Sequence, residues 1–232
     1  MIKVHKLVKR FGAKTVLRGL DFEAHQGEFV ALLGPNGAGK TTFLRILASL
    51  SHPTLGAVNV AGYILPAQAA AVRARLGVVT HLPLLYGDLT AEENLRFYGR
   101  MYNVKELNLR ITEVLGLIGL APRRRDLVRT FSRGMQQRLA IGRAILHDPE
   151  VVLFDEPHTG LDQDACNMLD RLLLDVAARG RTVVITSHDL ARVEALATRF
   201  DVLSHGVIAA STGREDLGRT NLLDFYRQSL AG

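Results

Sequence analysis

The chain runs to 232 residues, 47% of them hydrophobic and 22% charged, and its formal net charge is +6. That length buries a core with ease, the composition is that of a globular protein, and no apolar run approaches the ~18 residues of a membrane-spanning helix. Cys166 is the only cysteine, which excludes an internal disulfide and a cysteine-cluster metal site.

The opening Met1-Ile2-Lys3-Val4-His5-Lys6 lacks the apolar core of a signal peptide, so the expectation is a cytoplasmic protein. Positive charge crowds at Arg123, Arg124, Arg125, Arg129, Arg133 and Arg138. A solvated basic face accounts for such a cluster, and an anionic membrane surface or a polyanionic nucleotide would also suit it. No aromatics interleave with it to stack bases, so nucleic acid is not an expected partner.

Residues 1–33 read as strands, with Leu20 and Phe22 alternating with Asp21 and Glu23 as a half-buried strand requires. Within them sits Arg10-Phe11-Gly12, where Phe11 is either a core residue or a ring free to stack on a base. The apolar run Phe29-Val30-Ala31-Leu32-Leu33 then leads into Gly34-Pro35-Asn36-Gly37-Ala38-Gly39-Lys40-Thr41-Thr42, which fits G-x-x-x-x-G-K-[ST]. Phe43, Leu44, Leu47 and Leu50 follow at helical spacing, giving the order strand, loop, helix. The glycines let backbone N–H groups curl around phosphates, and the helix N-terminus adds its positive dipole end. Lys40 supplies a full charge near the β and γ phosphates, Thr41 a hydroxyl for Mg²⁺, and Thr42 a bond to a phosphate oxygen.

A turn at His52-Pro53-Thr54 precedes a strand at 57–60, a helix over 67–75 and a strand at 76–80. Thr90-Ala91-Glu92-Glu93 has capping-box spacing and opens a helix through Leu95, Tyr98 and Tyr102. Residues 104–118 are helical in pattern, and Ser132 starts a further helix that carries Met135, Leu139 and Leu146 and closes at Asp148-Pro149. Helix-rich sequence from about 90 to 147 between strand-rich segments predicts a helical lobe set into an α/β core.

Val151-Val152-Leu153-Phe154 reads as a buried strand ending in Asp155-Glu156-Pro157. Asp162 is placed to cap a helix whose stripe is Leu169, Leu172, Leu173 and Val176, ended by Gly180. A strand at 182–186 ends in Ser187-His188-Asp189. Strands alternating with helices imply a largely parallel sheet with its chemistry at the carboxyl ends of the strands. There, Asp155 is suited to Mg²⁺ and Glu156 to polarising a water for in-line attack, a contribution worth roughly 10²–10⁴ in rate. His188 is placed to reach the γ-phosphate or to orient that water. Ser132 with Gly134 makes a second potential anion site at a helix start, although serine caps helices without any such purpose.

Taken together, residues 34–42, Ser132-Arg133-Gly134-Met135-Gln136-Gln137-Arg138, 151–156, Gly160-Leu161-Asp162 and His188 resemble the ATP-binding domain of ABC transporters across essentially the whole chain. The resemblance implies an α/β P-loop NTPase fold: a RecA-like core lobe (1–87 and 148–215) with an N-terminal antiparallel β subdomain, an inserted helical lobe (about 88–147) and a short tail (216–232). It implies two copies head to tail, as a homodimer or with a paired ATP-binding subunit, around two molecules of ATP with Mg²⁺. Integral membrane subunits would be the transporting partners, with this chain peripheral on the inner face of the cell membrane. Phe11 would stack on adenine, residues 34–42 would hold the phosphates, and Thr41 and Asp155 would hold the metal. Ser132, Gly134 and Gln136 would meet the other subunit's nucleotide, Asp162 would cross the interface, and Glu156 and His188 would drive hydrolysis.

The signature departs from the usual Leu-Ser-Gly-Gly-Gln in reading Phe131-Ser132-Arg133-Gly134-Met135, which leaves Arg133 either near phosphate or facing solvent. His81 stands where the family usually has a glutamine that meets Mg²⁺ and senses the membrane subunit, and imidazole is a poor Mg²⁺ ligand beside oxygen donors. Thr80-His81-Leu82-Pro83 and the segment 89–98 resemble the ATP-binding subunit of haem exporters in cytochrome c biogenesis, with generic export ATPases as the alternative. A soluble relative acting on ribosomes or DNA would need a fused second domain or a coiled coil between residues 34 and 132, an interval too short for one. A phosphate-loop kinase would leave Glu156, the signature and His188 unexplained.

Overall fold

Two sheets share one layer of helix between them. In the computed structural model, which describes residues 1–80, 82–218 and 221–231, β1 (Ile2–Phe11) pairs antiparallel with β2 (Lys14–Ala24) and β4 (Leu55–Val60), and β4 pairs with β5 (Tyr63–Leu65), in the order β2-β1-β4-β5. The alternation of the sequence is realised: Ile2, Val4, Leu20 and Phe22 are buried while Lys3, Asp21 and Glu23 face solvent.

The second sheet runs β10-β9-β3-β8-β7-β6, formed by β3 (Phe29–Leu33), β6 (Leu76–Val79), β7 (Val151–Asp155), β8 (Thr182–Thr186), β9 (Arg199–Ser204) and β10 (Val207–Gly213). All its pairings are parallel except β9 with β10. Every residue of β3, β7 and β8 is buried, because helices cover both faces; this is why these strands read as unbroken apolar runs.

The pleat sends alternate residues into two cores. Val30, Leu32, Leu153 and Val184 pack with Phe43, Ile46 and Leu47 of α1 (Lys40–Leu47), whose Phe43 ring meets Phe22 of the antiparallel sheet edge to face at 5.1 Å. Phe29, Ala31, Leu33, Val152, Phe154 and Ile185 pack instead with α6 (Gln163–Ala178), α7 (Leu190–Leu196) and the helices of the middle segment.

That middle segment holds α3 (Ala91–Met101), α4 (Leu107–Leu117) and α5 (Arg133–Ile145), joined by Leu95, Ile111, Val114, Leu115 and Leu139. The capping box at Thr90 forms as spaced: its backbone N–H donates to Glu93 Oε2 at 2.8 Å and its hydroxyl accepts from Glu93 N. The carboxyl half of α5 lies directly on β6; a Cβ on Gly77 would stand 2.4 Å from the Ala144 carbonyl oxygen, so no larger residue permits that approach. Most of the arginine cluster is exposed, with Arg123 pairing with Asp126 and Arg129 with Asp88 at the surface, while the half-buried Arg124 pairs with Glu92 and Arg138 donates to the Ile118 carbonyl.

Some boundaries move. The helix expected over 67–75 contracts to α2 (Ala69–Arg73), and α4 starts at Leu107 because Asn103 and Glu106 both take left-handed backbone conformations (φ 51° and 48°) that break the helix there. α8 (Leu222–Ala231) ends the described chain, burying Leu222 beside α7 and β9.

Candidate functional site

The carboxyl end of β3 turns straight into the phosphate loop. Gly34 (φ 145°) passes so close to β9 that a Cβ would lie 2.2 Å from the Leu203 carbonyl oxygen, and Gly39 (φ 114°) delivers the chain into α1. Lys40 is the first residue of that helix; its Nζ donates to the carbonyls of Gly34 (2.6 Å) and Pro35 (3.2 Å), so its ammonium is held inside the loop. Burial pulls its pKa below the usual lysine value while Glu156 and Asp155 push back. Residues 36–42 line a cavity of about 490 Å³ together with Glu156.

Asp155 ends β7 opposite Thr186 of β8. It is buried, and its Oδ1 accepts from the Thr186 hydroxyl at 2.8 Å and from the Thr41 hydroxyl at 3.2 Å. A buried carboxylate meeting the hydroxyl of the cavity-lining Thr41 suits Mg²⁺, which typically takes one or two protein oxygens and fills its octahedron with phosphate oxygens and water.

Glu156 has a left-handed backbone (φ 50°), rare for a residue with a side chain and held here by its N–H, which donates to the Thr186 hydroxyl and carbonyl at 3.0 and 3.2 Å. The twist turns its carboxylate away from that of Asp155 and toward the loop after β8. There His188 Nε2 lies 2.6 Å from Glu156 Oε1. The strand-end trio expected from sequence is therefore brought together beside the phosphate loop.

Other expected residues lie elsewhere. Ser132 caps α5, its hydroxyl accepting from Met135 N at 3.3 Å, and Asp162 caps α6, accepting from Ala165 N at 2.8 Å. The two helix starts abut, with a Cβ on Gly134 reaching 3.0 Å from Ala165 Cβ. Ser132, Gly134 and Asp162 do not line the cavity of their own chain. Gln136 turns inward, its amide facing the carbonyls of Val128 and Phe131 at 3.5 and 3.4 Å. Arg133 is exposed, the solvent-facing alternative, with its guanidinium over Gly160, where a Cβ would come within 2.5 Å of Arg133 Cζ. Phe11 is not a core residue, being 54% exposed with the Lys9 ammonium 4.6 Å from its ring centroid. His81 lies outside the described residues.

The opposite wall of the cavity went unnoticed in the sequence. Lys14, Thr15, Val16 and Arg18 of β2 form it with His205 and Gly206 of the β9–β10 turn, and Arg18 N donates to the Gly206 carbonyl at 2.9 Å. No local motif marks these residues; the packing of that turn on β2 assembles them.

Comparison with known proteins agrees with this geometry. Residues 17–159 match the family model described as ABC transporter. The linearmycin resistance ATP-binding protein LnrL of Bacillus subtilis (strain 168) is 36% identical over 94% of this chain and 70% of its own length. The Nod factor export ATP-binding protein I of Paraburkholderia xenovorans (strain LB400) is 38% identical over 88% of this chain and 68% of its own. Among solved structures, an ATP-binding subunit of an ABC transporter superposes with a TM-score of 0.90 at 30% identity, with 99% of each chain covered. The ATP-binding cassette MJ0796, solved as a dimer in a post-hydrolysis state bound to ADP and Pi, superposes with a TM-score of 0.82 at 27% identity over 92% of this chain and 99% of its own. With the phosphate loop and Glu156 lining one cavity, and Asp155 and His188 meeting it through Thr41 and Glu156, this chain belongs to the family of ABC transporter ATP-binding subunits, and its reaction is ATP hydrolysis.

Proposed function

We propose that this chain powers an exporter as one half of a head-to-tail dimer that encloses two molecules of Mg-ATP. The observation that carries the reading is the Glu156–His188 contact at 2.6 Å beside the phosphate-loop cavity. Lys40 and the N–H groups of residues 36–42 bind the phosphates. Thr41 and Asp155 would hold Mg²⁺, whose charge offsets that of the phosphates. Glu156 accepts the proton of the attacking water, and His188, whose Nε2 lies 2.6 Å from Oε1, holds the carboxylate in place.

The position of the signature supports the dimer. Ser132 sits exposed at the start of α5 and lines no part of its own chain's nucleotide cavity, so a second copy is what brings Ser132 and Gly134 to a γ-phosphate. Asp162, at the adjoining helix start, would cross the same interface. Gln136, hydrogen-bonded inward, would support that turn rather than touch nucleotide. Phe11, exposed beside the β1–β2 turn, is free to stack on adenine.

In this reading residues 1–87 and 148–215 form the nucleotide-binding lobe, 88–147 the helical lobe that carries the signature, and 216–232 a tail. No described helix is long and apolar enough to cross a membrane. The transported molecule would pass through separate membrane-spanning subunits, with this chain on their cytoplasmic face. Relatives named for linearmycin resistance and Nod factor export favour a general export ATPase. The haem-export expectation draws no support from these names, and His81, on which it leaned, lies outside the described residues.

The test is the state of the Glu156→Gln chain in solution. With Mg-ATP it is expected to elute as a dimer that retains two ATP, and without nucleotide as a monomer. A monomer at every ATP concentration, with native turnover, overturns the reading.

A further inference from the structure

Beyond the strand ends, little backbone pairing joins the two loops that carry the catalytic pair. Glu156 N donates back to Thr186, but the chain then runs through Pro157 and His158 toward α6, while the other loop passes His188 into α7. Their relative position must be set by side chains. A second polar cluster, which nothing in the hydrolysis mechanism above uses, lies behind them.

At its centre is Asp170, in the third turn of α6 and largely buried. Asp170 Oδ1 meets His158 Nε2 at 2.8 Å, and Oδ2 accepts from the Arg192 guanidinium of α7. His158 stands two residues beyond Glu156, and Arg192 one helical turn beyond His188. Arg192 also returns to its own loop: its Nε donates to Asp189 Oδ2 at 3.3 Å, and its backbone N–H to Asp189 Oδ1 at 3.1 Å. Asp189 follows His188 directly and caps α7.

The protonation of the cluster is consistent with a fixed bridge. Burial lowers the His158 pKa, with Asp170 opposing, and its Nδ1 is enclosed without a hydrogen-bond partner among the described residues. An imidazole with its one proton on Nε2 satisfies both facts, donating to Asp170 and leaving only a bare lone pair enclosed. The His158 and Arg192 side chains are just 9% and 12% exposed, so neither arm of the bridge is a loose surface pair.

We propose that Asp170 is a positioning residue for hydrolysis, clamping the Glu156 loop through His158 and the His188 loop through Arg192 so that the two catalytic side chains hold one mutual geometry. The assignment rests on the roles given to Glu156 and His188 above. Asp170 does not line the phosphate-loop cavity; it acts by keeping two strand-end loops in register. An isolated α6–α7 packing contact would stabilise the fold without affecting the chemistry, and the two cases separate in kinetics.

The experiment is steady-state ATP hydrolysis by the full chain with Mg-ATP varied, accompanied by thermal unfolding of each variant. Asp170→Asn and His158→Leu are expected to lower kcat about tenfold or more with KM within about twofold, since misplacing a catalytic group by ~1 Å costs up to ~10²-fold. His158→Gln, whose amide nitrogen reaches the place of Nε2, is expected to keep most of kcat. In a His188→Ala background, Asp170→Asn is expected to cost little further, because the geometry it guards is already lost.

Native kcat in Asp170→Asn, or an equal fractional loss with and without His188, overturns the proposal. Should Asp170→Asn fail to fold, the His158 pair decides: equal kcat in His158→Gln and His158→Leu overturns it. Glu156→Gln serves as the control. If that variant hydrolyses ATP at the native rate, the reading of Glu156 falls; if it is inactive while Asp170→Asn turns over normally, only the role of Asp170 falls.

Discussion

Glu156 Oε1 and His188 Nε2 meet at 2.6 Å from the ends of two neighbouring parallel strands whose last residues, Asp155 and Thr186, face each other in register. The left-handed backbone at Glu156 makes the meeting possible, because an extended residue there would continue the pleat of β7. Thr186 anchors both acidic residues: its hydroxyl donates to the Asp155 carboxylate and, with its carbonyl, accepts from the Glu156 backbone N–H.

The contact predicts unequal losses in the two partners. Glu156→Gln keeps the shape but removes the proton acceptor, and phosphate release at saturating Mg-ATP should fall by roughly 10²–10⁴. His188→Ala leaves the carboxylate in place but unfixed, so a smaller loss is expected with ATP affinity unchanged. Turnover of His188→Ala equal to the native chain would remove the histidine from the mechanism.

Lys40 predicts a binding defect instead. Its ammonium closes the loop on the Gly34 and Pro35 carbonyls while facing the cavity, and hydrogen bonds to charged groups contribute about 1.5–3 kcal/mol. Lys40→Ala should therefore weaken nucleotide affinity by about ten- to hundredfold, the conversion of that energy into an equilibrium constant. Titration with a fluorescent ATP analogue measures it, and an unchanged Kd would contradict the placement.

Much of this site could be read from the chain because its parts are local. The phosphate loop is a contiguous strand, turn and helix, and Asp155 and Glu156 directly follow an apolar run, so short-range pattern places them. Ser132 and Asp162 announce themselves as helix caps for the same reason. The far wall of the cavity was not legible: Arg18 meets Gly206 only because the β9–β10 turn packs on β2, a contact across the whole chain. The same holds for Asp170, which reads in sequence as a polar residue on an amphipathic helix and gains its partners from two other segments. Phe11 marks the limit of pattern in the other direction, since an aromatic at a strand end could have been core and proves exposed.

Thr41 and Asp155 predict a metal-dependent effect. With their oxygens 3.2 Å apart, Asp155→Asn keeps an acceptor for the Thr186 hydroxyl but gives up the negative charge that favours a hard divalent cation. Native chain should bind ATP more tightly with Mg²⁺ than with a chelator present, and Asp155→Asn should bind it equally in both. A variant that keeps the full Mg²⁺ enhancement would show that the metal is held by other groups.

His147 predicts acid sensitivity of the fold, away from the catalytic groups. Its ring stacks on Tyr102 at 3.8 Å with planes 6° apart, and among the described residues neither ring nitrogen has a hydrogen-bond partner. Burial takes its pKa from 6.5 down to about 4. Between those values the unfolded chain binds a proton that the folded chain does not, so this contribution is present in full above about pH 6.5 and is lost as pH falls toward 4. His147→Phe retains the stack and removes the titration. Chemical denaturation at pH 7 and at pH 4.5 should show the native chain losing about 2 kcal/mol more than the variant, as a shift of this size implies. Parallel losses in the two proteins would mean that His147 takes up its proton without leaving the fold, the ring finding water or a carbonyl as it charges.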